Sequence, residues 1–281
     1  MFDKTEYLSL YRNDFIQALK YLCNEIPDSL FKFYSLGNKM DEKKLSTLRD
    51  DKIWVDLFIN QNDPFEMINL DIDENSVKPK YTKDGRLLID KNDLLDAYQK
   101  HMNHYKNKLK TASLCDVMAT NISMWAYYTN NHQGFCCEYE PLSRDLDAMK
   151  PLRPVLYEKS TSKTKSSFVE HLTISGLNSL HDDSNIIQLQ QAYNFELIKM
   201  LASCKHESWA HEREYRAFYL GKDDSTGESV CCSELNLKLK AIYAGVHCSD
   251  ENKEKLKQIC GLLNVEFHAM KASSTEYLLI E

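Results

Sequence analysis

Residues 121–140, NISMWAYYTNNHQGFCCEYE, constrain the fold of this chain more than any other stretch. Trp125, Tyr127, Tyr128 and His132 fall within eight residues, followed by a glycine and a β-rich run. Residues 124–129 read as the start of a helix. Ser123 is its candidate N-cap, because a serine hydroxyl accepts from a free amide of the first turn. Residues 130–134 carry turn chemistry, with Gly134 free to take positive φ. Residues 135–139 read as a strand with aromatic ends. A helix-turn-strand corner holding Trp, Tyr, His and Asn suits two uses, gripping a planar ligand or filling a core.

Hydrophobic periodicity extends outward from that corner. Leu8, Tyr11, Phe15, Leu19 and Leu22 recur at helical spacing and predict one helix over 1–26, ended by Pro27. Further helices are predicted over 41–49 with Asp41 as cap, 90–109, 186–202, and 250–263 capped by Ser249 or Asp250. Strands are predicted over 29–36, 52–58, 155–157, 208–220, 235–243, 265–270 and 277–280, with a short apolar segment at 113–118. Asn62, Asp63 and Pro64 mark a turn, residues 71–88 a loop, and residues 159–167 a polar, low-complexity segment. Strands and helices alternate without a regular βαβ rhythm. The expected fold is α+β, one domain over 1–281, with a mixed or antiparallel sheet flanked by helices. Residues 1–27 form an N-terminal helix packed on the body.

Composition narrows the function classes. A net charge of −7 argues against general attraction to nucleic acid or anionic membrane. No run approaches the roughly 20 apolar residues of a membrane span. The N-terminus lacks the apolar core of a signal peptide. Nine cysteines at irregular spacing, with no C-x-x-C pair, read as reduced thiols in a cytoplasmic protein. His101 and His104 lack a third ligand, so no metal is expected. No P-loop or G-x-G-x-x-G is present, which disfavours kinase and Rossmann readings.

Six blocks occur in order: LFKFYSL (30–36), TLRDDKIWV (47–55), NDPFE (62–66), MWAYYTNNHQGF (124–135), WAHEREYR (209–216) and AIYAGVHCSDE (241–251). Together they resemble a widespread bacterial family known only as a domain of unknown function. Its signature is an Asn-Asp-Pro-Phe turn, a Met-Trp-x-x-Tyr-x-x-x-His-x-Gly block and a Trp-x-x-Glu-x-Glu-Tyr-Arg block. The resemblance covers residues 28–260. Where that family often has Tyr-Arg in the first strand, this chain has Phe33-Tyr34, leaving Lys32 as the cation there.

The order of blocks also resembles, more distantly, the ADP-ribosyltransferase fold. That resemblance implies NAD as substrate and a protein or nucleic-acid acceptor, with a role as a toxin or in defence against phage. It sets Lys32 and Tyr34 on the first strand, then the block from Ser123 through Trp125 to Tyr128, then Glu212-Arg213-Glu214. Glu214 would be the catalytic carboxylate, with Glu212 beside it. Both fall on one face of the predicted strand, roughly 7 Å apart. Arg216 would hold a phosphate or orient Glu214, and His132 would donate to a phosphate or carbonyl of the nucleotide. Stacking aromatics would hold the nicotinamide ring and a cation the pyrophosphate. Two other readings stay open. One is a non-catalytic module that binds a nucleotide or a protein through the 125–132 corner. The other is a metal-dependent nuclease built from Asp63, Glu66, Glu212 and Glu214, which requires those carboxylates to converge.

Overall fold

One strand that serves three neighbours organises the molecule. The computed structural model describes residues 3–66, 68–147, 151–160, 195–196, 198–221, 226–276 and 278–280. The chain begins with α1 (Lys4–Asn13) and α2 (Phe15–Asn24), where one helix was expected. Asp14 divides them: its backbone is extended at φ −153°, and its side chain caps α2 by accepting from the Gln17 amide at 3.1 Å. Next come β1 (Leu30–Tyr34), α3 (Asp41–Arg49) and β2 (Lys52–Leu57). Met40, not Asp41, is the N-cap of α3. The Asp41 carboxylate instead accepts from the amides of Gly37 (2.7 Å) and Asn38 (3.1 Å), closing the preceding turn.

The predicted 71–88 loop contains a small hairpin of β3 (Lys80–Tyr81) and β4 (Leu87–Ile89). Then follow α4 (Lys91–Lys106), β5 (Leu109–Cys115), α5 (Ile122–Tyr128) and β6 (Phe135–Pro141). Short strands β7 (Leu152–Pro154), β8 (Leu156–Glu158) and β9 (Cys204–His206) precede β10 (Glu214–Leu220). The chain continues through β11 (Gly227–Cys231), β12 (Leu237–Ala244), α6 (Asp250–Leu263), β13 (Glu266–Ala269), β14 (Lys271–Ala272) and β15 (Leu279–Ile280). Most of the 186–202 helix and of the 159–167 segment lies outside the described residues.

Among the described residues nine strands form one mixed sheet in the order β11-β2-β5-β1-β6-β12-β13, with β10 on β5 and β7 on β10, and within it only β12 and β13 run parallel. The architecture is therefore the expected α+β one, a mostly antiparallel sheet flanked by helices. One sheet face packs Leu30, Leu114, Cys137 and Ala217 against Leu45 and Leu48 of α3 and Leu256 and Ile259 of α6. The other face carries two separate clusters. Phe218 joins Leu22 of α2 and Leu94 and Tyr98 of α4. Trp125 of α5 packs with Phe33, Cys136 and Tyr243.

The β5 strand is paired along its full length with β10, from Leu220↔Leu109 to Glu214↔Cys115. Its other edge forks. At its start it pairs with β2 through Leu57↔Lys110 and Asp56↔Thr111, and at its end with β1 through Phe31↔Cys115. Residues 112–114 have no strand partner on that edge among the described residues. Such a fork opens the sheet and leaves backbone polar groups facing the gap.

The 121–140 corner is built differently from the expectation. Asn121, not Ser123, caps α5 and accepts from the Met124 amide at 3.4 Å; Ser123 sits inside the helix and donates to Asn121 at 3.3 Å. Positive φ falls on Asn130, Asn131 and His132 (53°, 54° and 66°), not on Gly134. Asn visits the left-handed region more readily than other non-glycine residues, and Asn130 is further tied by donating to the distant Leu36 carbonyl at 2.9 Å. Gly134 is a glycine for a different reason: a Cβ there would run into the Tyr34 carbonyl oxygen of β1. Among the described residues no helix is long and apolar enough to cross a membrane.

Candidate functional site

The fork holds a cavity of about 270 Å³. Lys32 of β1, Trp54 of β2, Ser113 of β5 and Tyr128 of α5 face it, together with Glu212 and Glu214. Beneath it lies a buried cluster of five charges. Glu66, Glu212, Glu214, Lys205 and Arg216 are all 6% exposed or less. Taking each ion out of water costs several kcal/mol, so such a cluster persists only with close pairing.

The pairing is made by a backbone device the sequence pattern did not show. Residues 208–213 are not strand. Glu207–Glu212 forms a 3-10 helix whose N-cap, His206, accepts from the Ser208 amide. Arg213 then takes the left-handed conformation, φ 48°, and turns the chain into β10 at Glu214. Its own side chain leaves the site and forks onto Asp116, with both nitrogen–oxygen distances 2.6 Å. Glu212 and Glu214 are therefore not two residues along one strand face. They flank a kink, and both meet one ammonium: Lys205 Nζ lies 2.6 Å from Glu212 and 3.2 Å from Glu214.

Arg216 donates to both oxygens of Glu214, from Nε at 2.9 Å and Nη2 at 3.1 Å. It also pairs with Glu66 at 2.7 Å and donates to the Ala202 carbonyl. Being fully buried, it orients Glu214 and is not placed to hold a phosphate. Ser113 donates to Glu214 Oε1 at 2.6 Å, and the Glu214 amide donates to the Tyr157 hydroxyl at 2.8 Å. Burial alone would raise the Glu214 carboxyl; Arg216, Lys205 and Ser113 outweigh it and hold the group down to about 2. For Glu66 burial prevails over Arg216 and Lys205, with Glu214 adding to it, and the carboxyl is pushed up.

Tyr128 donates to Glu212, and its own hydroxyl accepts from Asn62 Nδ2 at 3.2 Å. The NDPF turn thus shapes the site as well as itself. Because a bond to a charged group is lost, Tyr128→Phe is expected to destabilise the protein by about 1.5–3 kcal/mol. The urea midpoint at unchanged m-value reads this; a midpoint equal to wild type would show that the bond carries no net stability.

Lys32 is half-buried, and its ammonium reaches into the fork toward the Ser113 carbonyl at 3.4 Å. Burial is the largest influence and lowers it to about 8, against Cys137 and Glu214. Four of the expected site residues, Lys32, Tyr128, Glu212 and Glu214, are therefore brought to one cavity.

The others are placed elsewhere. Tyr34 shares a strand face with Lys32, whose ammonium lies 5.4 Å from its ring centre, but it does not line the cavity: it stacks on Phe135 at 4.8 Å and its hydroxyl lies 3.4 Å from that of Tyr139. Trp125 is fully buried and donates to the Met118 carbonyl at 3.1 Å, so it is core and offers no wall to a ligand. His132 stacks flat on Trp125 at 6.3 Å and stands edge-on to His247 at 5.9 Å, away from the cavity. Ser123 does not line the cavity; the serine that meets Glu214 is Ser113.

Sequence reasoning gave no role to Ser113, Lys205 or Tyr157. Two signals pointed to the first two, and none to Tyr157. Ser113 is a hydroxyl inside a central apolar run, and three carboxylates in one buried site demand cations. Of the four carboxylates in the nuclease reading, Glu66, Glu212 and Glu214 converge, but on Lys205 and Arg216, whereas among the described residues Asp63 makes no ion pair with either cation and lines a different cavity. Among the described residues no group of three or more His, Cys, Asp or Glu side chains is arranged to hold a metal ion.

The fold and site define an α+β protein with a charged cavity in a forked sheet. Residues 124–217, about a third of the 281-residue chain, match the model of a family described as "Protein of unknown function (DUF2971)". The matched region runs from the start of α5 into β10 and so contains Tyr128, Lys205, Glu212, Glu214 and Arg216. No curated protein and no solved structure matches the chain.

Proposed function

We propose that the chain uses NAD as a substrate, releasing nicotinamide and transferring the ADP-ribosyl group to a protein or nucleic-acid acceptor, in the manner of ADP-ribosyltransferases. One observation carries the reading: a carboxylate held ionised down to about 2 faces the same small cavity as a lysine and a set of aromatic rings. The volume, about 270 Å³, lies at the low end of ligand pockets and suits a ring and its sugar more than a whole dinucleotide. Phe31, Phe33 and Trp54 supply apolar walls for a planar ring. Glu214 sets a fixed negative charge where positive charge develops on the ribose as nicotinamide leaves, and preorganised charge of this kind costs no rearrangement at the moment of reaction. Glu212 accepts from a ribose hydroxyl in place of Tyr128. Lys32, charged below about 8, attracts the pyrophosphate.

The sign of the pH dependence follows from Lys32. Its charge is lost as pH rises through about 8, so NAD affinity falls over that interval. The dependence disappears in Lys32→Met, whose affinity sits at the weak, high-pH level throughout. Calorimetric titration of NAD from pH 6.5 to 9.5 tests this; absence of NAD binding to wild type at any pH would overturn the proposal.

A second reading, a non-catalytic nucleotide- or protein-binding module, is favoured by one feature: both oxygens of Glu214 are already engaged by Arg216, Lys205 and Ser113. NAD binding without nicotinamide release under any acceptor condition would select it.

A further inference from the structure

Lys205 separates the forked-sheet cavity from a second one, of about 500 Å³. Asp63, Phe65, Glu158, Cys204, Lys205 and Trp209 contribute to its wall. Asp63 comes from the NDPF turn and is only 4% exposed. Its Oδ1 accepts from the Phe65 amide at 2.9 Å, whereas Oδ2 has no hydrogen-bond partner among the described residues. An unsatisfied buried carboxylate oxygen is costly, and a bound donor would remove the cost.

Three features fix the chemistry of that donor. The first is charge. The charged side chains lining this cavity are Asp63 and Glu158 against Lys159 and Lys205, and Lys205 is already engaged by Glu66, Glu212 and Glu214. With Lys205 so engaged, the two lining carboxylates stand against one remaining lining cation, Lys159, a balance that favours a cationic ligand. The second is the wall. Phe65, 54% exposed, and the half-buried Trp209 offer aromatic surface, and the Trp209 ring already has one ammonium, that of Lys205, at 4.7 Å. The third is the number of free oxygens. With Oδ1 committed to Phe65, a planar guanidinium fork has only one oxygen to meet, whereas an ammonium needs only one.

We propose that this second cavity binds a primary ammonium group carried on an apolar arm, with Asp63 Oδ2 as its acceptor and Trp209 and Phe65 along the arm. Two sources share this chemistry, a lysine side chain of a peptide and a free aliphatic diamine. The site stands on its own geometry and does not depend on NAD chemistry next door.

Calorimetric titration of the full chain with N-acetyl-lysine methylamide, its uncharged analogue N-acetyl-norleucine methylamide, and pentane-1,5-diamine tests the assignment. Asp63→Asn keeps an oxygen for the Phe65 amide and removes the charge. Either cationic probe is expected to bind wild type at least tenfold more tightly than the uncharged analogue, and to lose at least tenfold in Asp63→Asn. The tighter of the two cationic probes identifies the source. Trp209→Leu, on another part of the wall, is expected to weaken the same probe and carries the test if Asp63→Asn does not fold. Equal binding of charged and uncharged probes, no binding of either cation, or unchanged affinity in the folded variants overturns the proposal.

Discussion

Arg216→Leu is expected to cost about 3–5 kcal/mol of stability, the penalty for breaking a buried ion pair and stranding its partner. Arg216 is fully buried, and two carboxylates depend on it: Glu214, bound through two nitrogens, and Glu66 at 2.7 Å. Leucine fills part of the volume and answers neither charge. The acid limb of the stability profile should change as well. In wild type the folded-state Glu214 carboxyl lies at about 2, below its ordinary value of 4.5. It therefore contributes stability that is fully present above pH 4.5 and is lost as pH falls toward 2. Without Arg216, burial is opposed only by Lys205 and Ser113, the carboxyl rises, and this acid-labile contribution shrinks. Urea unfolding at pH 7 and pH 3 reads both effects. A loss below 1 kcal/mol at pH 7 would mean that the cluster is hydrated and that its pairing counts for little.

Glu214→Gln is expected to lower nicotinamide release by a factor of about 10²–10³, the scale of removing one preorganised charged or hydrogen-bonding group from a transition state. Glutamine can still accept from Ser113 at one oxygen, and Glu66 still answers Arg216. The variant should therefore fold while losing the negative charge that faces the cavity. Glu212→Gln keeps the Glu214 charge and should lose less. Equal losses in the two variants would assign the effect to the Lys205 network as a whole and not to Glu214.

The coarse fold was legible because its signals were local. Helix faces at 41–49 and 250–263 and the strands near 30, 52, 135 and 237 follow from periodicity and capping residues, and Ser249 caps α6 as its position suggests, accepting from the Asn252 amide at 3.3 Å. The site was legible in part. Glu212, Glu214, Lys32 and Tyr128 stood out as charged or polar groups beside aromatic runs, and the fold gathers them.

What escaped was set by the backbone and by partners distant in the chain. Alternation over 208–220 looks like a strand, yet a left-handed Arg213 ends a 3-10 helix there, and no residue-type pattern marks an arginine at positive φ. Trp125 looked like a ligand wall because aromatic residues serve packing and binding alike; only its indole bond to Met118 and its neighbours Phe33 and Cys136 decide for the core. The Gly134 requirement comes from the close approach of β1, which depends on residues a hundred positions away. Lys205 belongs to the site through β8 and β9, a two-stranded pairing outside the main sheet.

Nicotinamide release from NAD by the purified full chain, wild type beside Glu214→Gln, is the most direct test of the NAD reading. Protein and nucleic-acid fractions of a cell lysate should be supplied in separate arms as acceptors. Release by wild type in at least one arm, reduced about 10²–10³-fold in a variant with the same circular dichroism, is the predicted result. Release that persists in Glu214→Gln, or no release by wild type in any arm, would contradict it.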